Sequence, residues 1–248
     1  EPKIMRKVFD EWVREHRIPV LTGETIASVL SRDGQIRSMR LSDGTVIEGR
    51  VFIDASYEGD LMAKSRVSHT WGRESVAKYG ESLAGIREPH FRQNYSADVY
   101  GTPGIEYMHH GQFGADIPAR DSQGRLLWGV EAKPSGRVGD ADDRMQAYCF
   151  RLIATQRKDL LVPWPKPDRY EPLRYELLLR YIEAHPDISF ARLVHLGPIP
   201  NGKWDLNASG PFSIDYIGGN AGFAEANPAK RRAILLDHLD YQKGFFWF

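Results

Sequence analysis

The sequence predicts an α/β chain in two unequal parts, and three observations carry that reading. First, residues 3–16 set Ile4, Val8, Phe9, Trp12 and Val13 at helical spacing, and a turn-punctuated β pattern follows. Second, the apolar run Val51-Phe52-Ile53 feeds directly into a polar turn, which is where α/β sheets place ligands. Third, beyond about residue 70 the periodicity breaks up among glycines and prolines, and clear helical patterns return only later.

The opening helix is followed by a short apolar strand, Ile18-Pro19-Val20-Leu21. Residues 25–30 and 36–41 then read as strands joined by Asp33-Gly34, a strong hairpin signal. Ser42-Asp43-Gly44 marks a second turn before residues 45–48, which completes a three-stranded meander. Residues 50–54 read as a buried strand, and a small helix runs to Lys64. From 71 to 145 the chain is expected to be irregular and partly β, with a hairpin-like turn at Gly124. Met145, Tyr148, Cys149 and Leu152 share a helical face, so residues 142–155 read as a helix. Residues 163–167 form a proline-rich linker, and residues 172–185 read as a helix opened by Pro172 and ended before Pro186. A last helix spans about 228–243.

Composition excludes several function classes. Lys plus Arg and Asp plus Glu both number 33, so the chain lacks the basic excess that broad nucleic-acid binding requires. Aromatic residues make up 11%, which argues against disorder. Cys149 is the single cysteine, ruling out an intrachain disulfide and a CxxC redox pair. No apolar run reaches the ~18–20 residues that cross a bilayer. The charged start without Met and the apolar end, Gly244-Phe245-Phe246-Trp247-Phe248, read as cut ends, so the chain is expected to be an internal fragment.

The densest motif is Val51-Phe52-Ile53-Asp54-Ala55-Ser56-Tyr57-Glu58-Gly59-Asp60-Leu61. Its spacing alone leaves open an ordinary strand with an acidic turn. Its residues resemble the apolar-apolar-Asp-Ala-Thr-Gly segment of flavoproteins with two dinucleotide-binding domains. Tyr57 departs from that pattern where glycine is usual. The longer form resembles a bacterial family of FAD-dependent oxidoreductases. The likeness continues through Gly72-Arg73-Glu74, residues 79–85, residues 146–151, 170–178, 200–207 and 213–216.

The resemblance implies FAD as cofactor and a partial FAD/NAD(P)-binding, Rossmann-like domain over residues 1–70. It implies an α+β substrate domain over 71–200, and a return towards the FAD domain over 201–248. It further implies that hydride passes from a small organic substrate to FAD. Asp54, Ala55, Ser56, Glu58, Gly59 and Asp60 are the expected cofactor-side residues. Arg73, Arg151, Asn201, Lys203 and Asp205 are the expected catalytic or substrate-side residues, the arginines as anion clamps. The run from Asn201 to Asn207 is read as a polar loop.

The G-x-G-x-x-G that seats a dinucleotide's diphosphate does not occur in these 248 residues, and Gly218 to Gly222 has the wrong spacing. The isolated chain is therefore expected to bind FAD weakly or not at all and to be inactive alone. His69, His90, His109-His110 and His195 lack metal-ligand spacing, and His195 reads first as a core histidine and otherwise as a proton acceptor. No G-x-S-x-G elbow is present, which disfavours a serine hydrolase. The alternative reading is a non-catalytic carbohydrate-binding or interaction module, suggested by Trp128, Trp164, Trp204 and Trp247.

Overall fold

A computed structural model describes residues 2–87, 117–133 and 135–248. His90, His109 and His110 lie outside the described residues. The fold is mixed α/β with two small three-stranded antiparallel sheets, and the chain divides into two compact units, Glu1–Thr70 and Trp71–Phe248. No described helix is long and apolar enough to cross a membrane.

The first unit begins with helix α1 (Pro2–Glu15), none of whose residues is buried. Strands β1 (Ile26–Arg32), β2 (Gln35–Leu41) and β3 (Val46–Glu48) form the expected meander, in the order β1-β2-β3. The turns work for local reasons. Asp33 and Gly34 both take positive φ, as a tight hairpin turn requires. At the second turn the Asp43 carboxylate accepts from the Thr45 amide at 2.8 Å, closing an Asx-type turn. Helix α2 (Asp60–Lys64) follows.

Two strands expected here do not form. Residues 18–21 are irregular and exposed. Residues 51–54 run without a ladder, with Val51 77% and Ile53 82% exposed. The apolar run has strand composition, but no described segment offers it backbone partners, so the side chains stay in solvent.

The second unit is built around aromatic residues. Helix α3 (Val76–Tyr79) is followed, past the undescribed stretch, by strand β4 (Leu152–Thr155) and helix α4 (Glu176–Ala184), the latter led in by a 3-10 turn at Pro172–Tyr175. Then come α5 (Phe190–Leu193), β5 (Val194–Ile199), β6 (Lys203–Ala208) and α6 (Pro228–Trp247). Asn227 caps α6 by accepting from the Lys230 amide, with Pro228 just inside the first turn. Tyr175, Leu178, Tyr181, Val194, Leu206, Ile214, Tyr241 and Phe245 are all buried in one cluster. The Tyr175 hydroxyl donates to the Tyr241 carbonyl at 2.7 Å, and Tyr241 in turn donates to Ser213. These buried hydroxyls are thereby satisfied.

The structure corrects two further expectations. Residues 142–155 form no helix. They run extended into β4, with the Tyr148 carbonyl accepting from the Tyr216 amide and Phe150 paired through its backbone to the Gln242 side chain. Apolar residues three and four apart mimic a helical face, but distant partners take up the backbone groups instead. Residues 203–208 are not a loop but the central strand of the sheet β4-β6-β5. Within the apolar C-terminal run, Phe245 is buried against Phe212, and Trp164 meets Phe246 edge-on.

Candidate functional site

The turn after residue 53 is stitched from within. Asp54 accepts from the Ser56 amide at 3.1 Å, the Ser56 hydroxyl at 2.6 Å and the Met62 amide at 3.1 Å. The Ser56 hydroxyl oxygen also accepts from the Gly59 amide at 3.0 Å. These bonds, led by the Ser56 hydroxyl, hold the Asp54 carboxyl below the usual carboxylate range. Gly59, with φ of 67°, supplies the left-handed residue that lets the chain enter α2 at Asp60. Ala55 and Tyr57 face outward, and Glu58 is half-buried.

This turn suits only part of FAD. Asp54, Glu58 and Asp60 put three carboxylates and no cation into residues 51–60. Such a donor set repels a diphosphate but can accept hydrogen bonds from ribityl and ribose hydroxyls. The small Ala55, between the exposed Ile53 and Tyr57, permits close approach by an apolar ring. Asp54 and Ser56, expected on the cofactor side, hydrogen-bond to each other and hold the shape of the turn.

Arg73, expected as an anion clamp, is taken up by an internal ion pair. Its Nε donates to Asp142 at 2.8 Å and its Nη2 to the other oxygen of the same carboxylate. The two backbones also bridge at this point. A Cβ on Gly72 would collide with the Asp142 backbone, which explains the glycine before the arginine. Ser135 donates to the same carboxylate at 3.0 Å. Arg73 first, then Ser135 and the Arg144 amide, lower the Asp142 carboxyl to about 2.

The remaining expected residues converge on one sheet. Along β6 the side chains alternate: Trp204, Leu206 and Ala208 pack on the core, while Lys203, Asp205 and Asn207 occupy the opposite face. The register puts Thr155 and Ile199 on either side of Lys203, Ile153 and Gly197 on either side of Asp205, and His195 beside Asn207. Arg151, just ahead of β4, reaches across this face. Its Nε donates to Asp205 at 3.2 Å, and its Nη2 to the second carboxylate oxygen. Asn201 does not join them. It sits exposed in the β5–β6 hairpin turn with φ of 68°, followed by Gly202 at 66°.

Three further residues shape this face. His195 is half-buried on the outer, polar side rather than in the core. Burial first, then the Arg151 charge against the opposing Asp205, lowers its pKa, so the ring is neutral near pH 7. The Cys149 thiol donates a hydrogen bond to Asp215. Burial, reinforced by that carboxylate, pushes the thiol up to about 12, which makes it a poor nucleophile. Gly197 lies mid-strand outside the left-handed region, where a Cβ would touch the Asp205 backbone and the His195 ring at ordinary contact distance. The signal for His195 and Gly197 lay in the alternation of residues 194–199, where Val194 and Leu196 alone face the core. No metal-binding cluster occurs among the described residues.

Neither a curated protein nor a solved structure matches the chain. A sequence model of the family described as FAD dependent oxidoreductase matches residues 1–248, and FAD is the cofactor that this family uses. The protein is therefore a member of the FAD-dependent oxidoreductase family.

Proposed function

We propose that the protein takes part in hydride transfer from a small organic substrate to FAD, with the outer face of the β4-β6-β5 sheet on the substrate side. The observation that carries this reading is the convergence of Arg151, Lys203 and Asp205 beside a neutral His195 on one face. Bound FAD would supply the hydride acceptor, which protein side chains cannot provide. The residues of the face would orient the substrate through Arg151 and Lys203. His195 is the group suited to take the hydroxyl or amine proton as the hydride leaves.

In the same reading, residues 1–70 belong to a Rossmann-like FAD-binding domain, and residues 51–54, which have no ladder among the described residues, would pair as a strand of its sheet. The exposed Val51 and Ile53 support this, since both are strand-forming residues with no described partner. Residues 71–200 are the substrate domain, and 201–248 lead back towards the cofactor domain. Ala55, Glu58, Gly59 and Asp60 would meet the sugar and ring portions of FAD. Asp54 and Ser56 would keep the turn in shape for them, and the diphosphate would need a glycine-rich loop that these 248 residues lack.

An FAD titration of this chain, followed by flavin fluorescence, tests the reading. Binding weaker than ~10 µM is expected from the missing diphosphate loop, and Ala55→Leu should abolish what remains. Purification of the chain as a yellow, stoichiometric flavoprotein would overturn the weak-binding claim. Flavin binding indifferent to Ala55→Leu would remove the turn from the cofactor site.

A further inference from the structure

The outer sheet face also specifies what kind of substrate it holds, and this inference rests on the placement of the substrate there. A guanidinium has two edges that can each grip a carboxylate: the side edge, Nε with Nη2, and the end edge, Nη1 with Nη2. In Arg151 the side edge is occupied by Asp205, and the side chain as a whole is 52% exposed. Asp205 thus fixes the plane and direction of the fork through its side edge.

The surroundings match a small organic acid. Lys203 adds a second positive charge on the same face, against the single carboxylate that β6 itself contributes there. Asp215 lies off the strands and is engaged with the Cys149 thiol. Ile153, opposite Asp205, and Ile199, opposite Lys203, offer hydrocarbon contact for a short carbon chain. Gly197 makes room. A Cβ there would stand 3.4 Å from the Asp205 carbonyl oxygen and 3.6 Å from His195 Nε2, ordinary contact distances. The backbone does not need glycine at this position, since φ is not positive. A strand-interior glycine that neither a turn nor crowding demands marks a place where something approaches the backbone closely.

We infer that this face binds a carboxylate-bearing small molecule, its carboxylate on the end edge of Arg151 and its carbon chain in the Gly197 notch beside His195. A 2-hydroxy or 2-amino acid held in this way would bring the bond to be oxidised next to the imidazole.

The test needs no flavin. Lactate and propane-1,2-diol share a carbon skeleton and differ by a carboxylate against a hydroxymethyl group. Both are titrated by NMR into the full 248-residue chain, into Arg151→Gln and into Gly197→Val. The expected result is that lactate binds the parent chain about tenfold or more tightly than the diol, a typical return for one charge-assisted bidentate contact. Each substitution should erase that preference. The melting temperature of Gly197→Val is measured alongside: its Cβ meets only ordinary contacts and valine suits a strand, so a preference lost from a chain that still melts cooperatively reads as a blocked notch. Equal binding of the two compounds, or a preference that survives both substitutions, overturns the inference. The FAD titration reads the turn after residue 53 and this one reads the sheet face, so failure of either reading is told apart from failure of the other.

Discussion

The two units solve the problem of folding differently. In Glu1–Thr70, Leu41 and Leu61 are the described apolar side chains that reach burial, while Ile4, Phe9, Trp12, Val51 and Ile53 stay in solvent. Its order comes from the meander's backbone ladder and from Asx-type turns at Asp43 and Asp54. In Trp71–Phe248, stacked rings fill the interior, with Tyr216 and Tyr241 centroids 4.7 Å apart and Tyr175 and Tyr241 6.0 Å apart. Burial of apolar area dominates folding stability, so the second unit should carry most of what the chain has. The first unit keeps a shape without a core of its own, while its apolar side chains remain available for contact.

The sharpest way to break this contrast is at Gly244. A Cβ there would overlap the Tyr175 hydroxyl and stand 2.7 Å from its ring carbon Cζ. The ring cannot step aside, because it is buried and bonded to the Tyr241 carbonyl. Gly244→Ala should cost at least ~3 kcal/mol by overpacking. Urea unfolding followed by tyrosine and tryptophan fluorescence reads the loss, and a change below ~1 kcal/mol would mean that this core is loosely packed.

Asp142 offers a milder test in the same unit. Its carboxyl is lowered from 3.8 to about 2 in the folded chain. The stabilisation is therefore complete above pH 3.8 and drains away as pH falls through about 2. Arg73 is partly exposed, which screens the pair, so the effect is on the order of 1 kcal/mol. Asp142→Asn should lose that amount at pH 7 and flatten the acid limb of the stability profile over this interval. An acid limb identical to that of the parent would show the pair to be idle.

The smallest effect is expected in the first unit. Ile53→Thr should change stability by less than ~0.5 kcal/mol, since the side chain is exposed and no ladder depends on it. A larger loss in the same urea experiment would mean that the apolar run is already covered in solution, and the contrast between the units would shrink.

What the sequence revealed follows the range of the forces involved. The meander was legible because Asp33-Gly34 and Asp43-Gly44 encode their turns locally. The helices 2–15 and 228–247 were legible from apolar spacing and from Pro228. The β4-β6-β5 sheet was hidden because its central strand carries Lys203, Asp205 and Asn207, which together read as a loop, and β5 holds both Gly197 and Pro198. Of the candidate residues, Arg151, Lys203 and Asp205 do gather on one face, although nothing in their spacing showed that Arg151 would lie across a strand from Asp205. The ion pair of Arg73 was hidden for a related reason: its partner Asp142 is 69 positions away.

The Gln242 amide has a consequence for the order of assembly. It accepts from the Phe150 amide and donates to the Phe150 carbonyl, standing in for a neighbouring peptide group 92 residues away in sequence. The arginine beside Phe150 is therefore aimed by a borrowed rung of ladder that exists only once α6 has docked. Closing so long a loop is entropically slow compared with local structure. The guanidinium fork should consequently be among the last features of the chain to take its final direction.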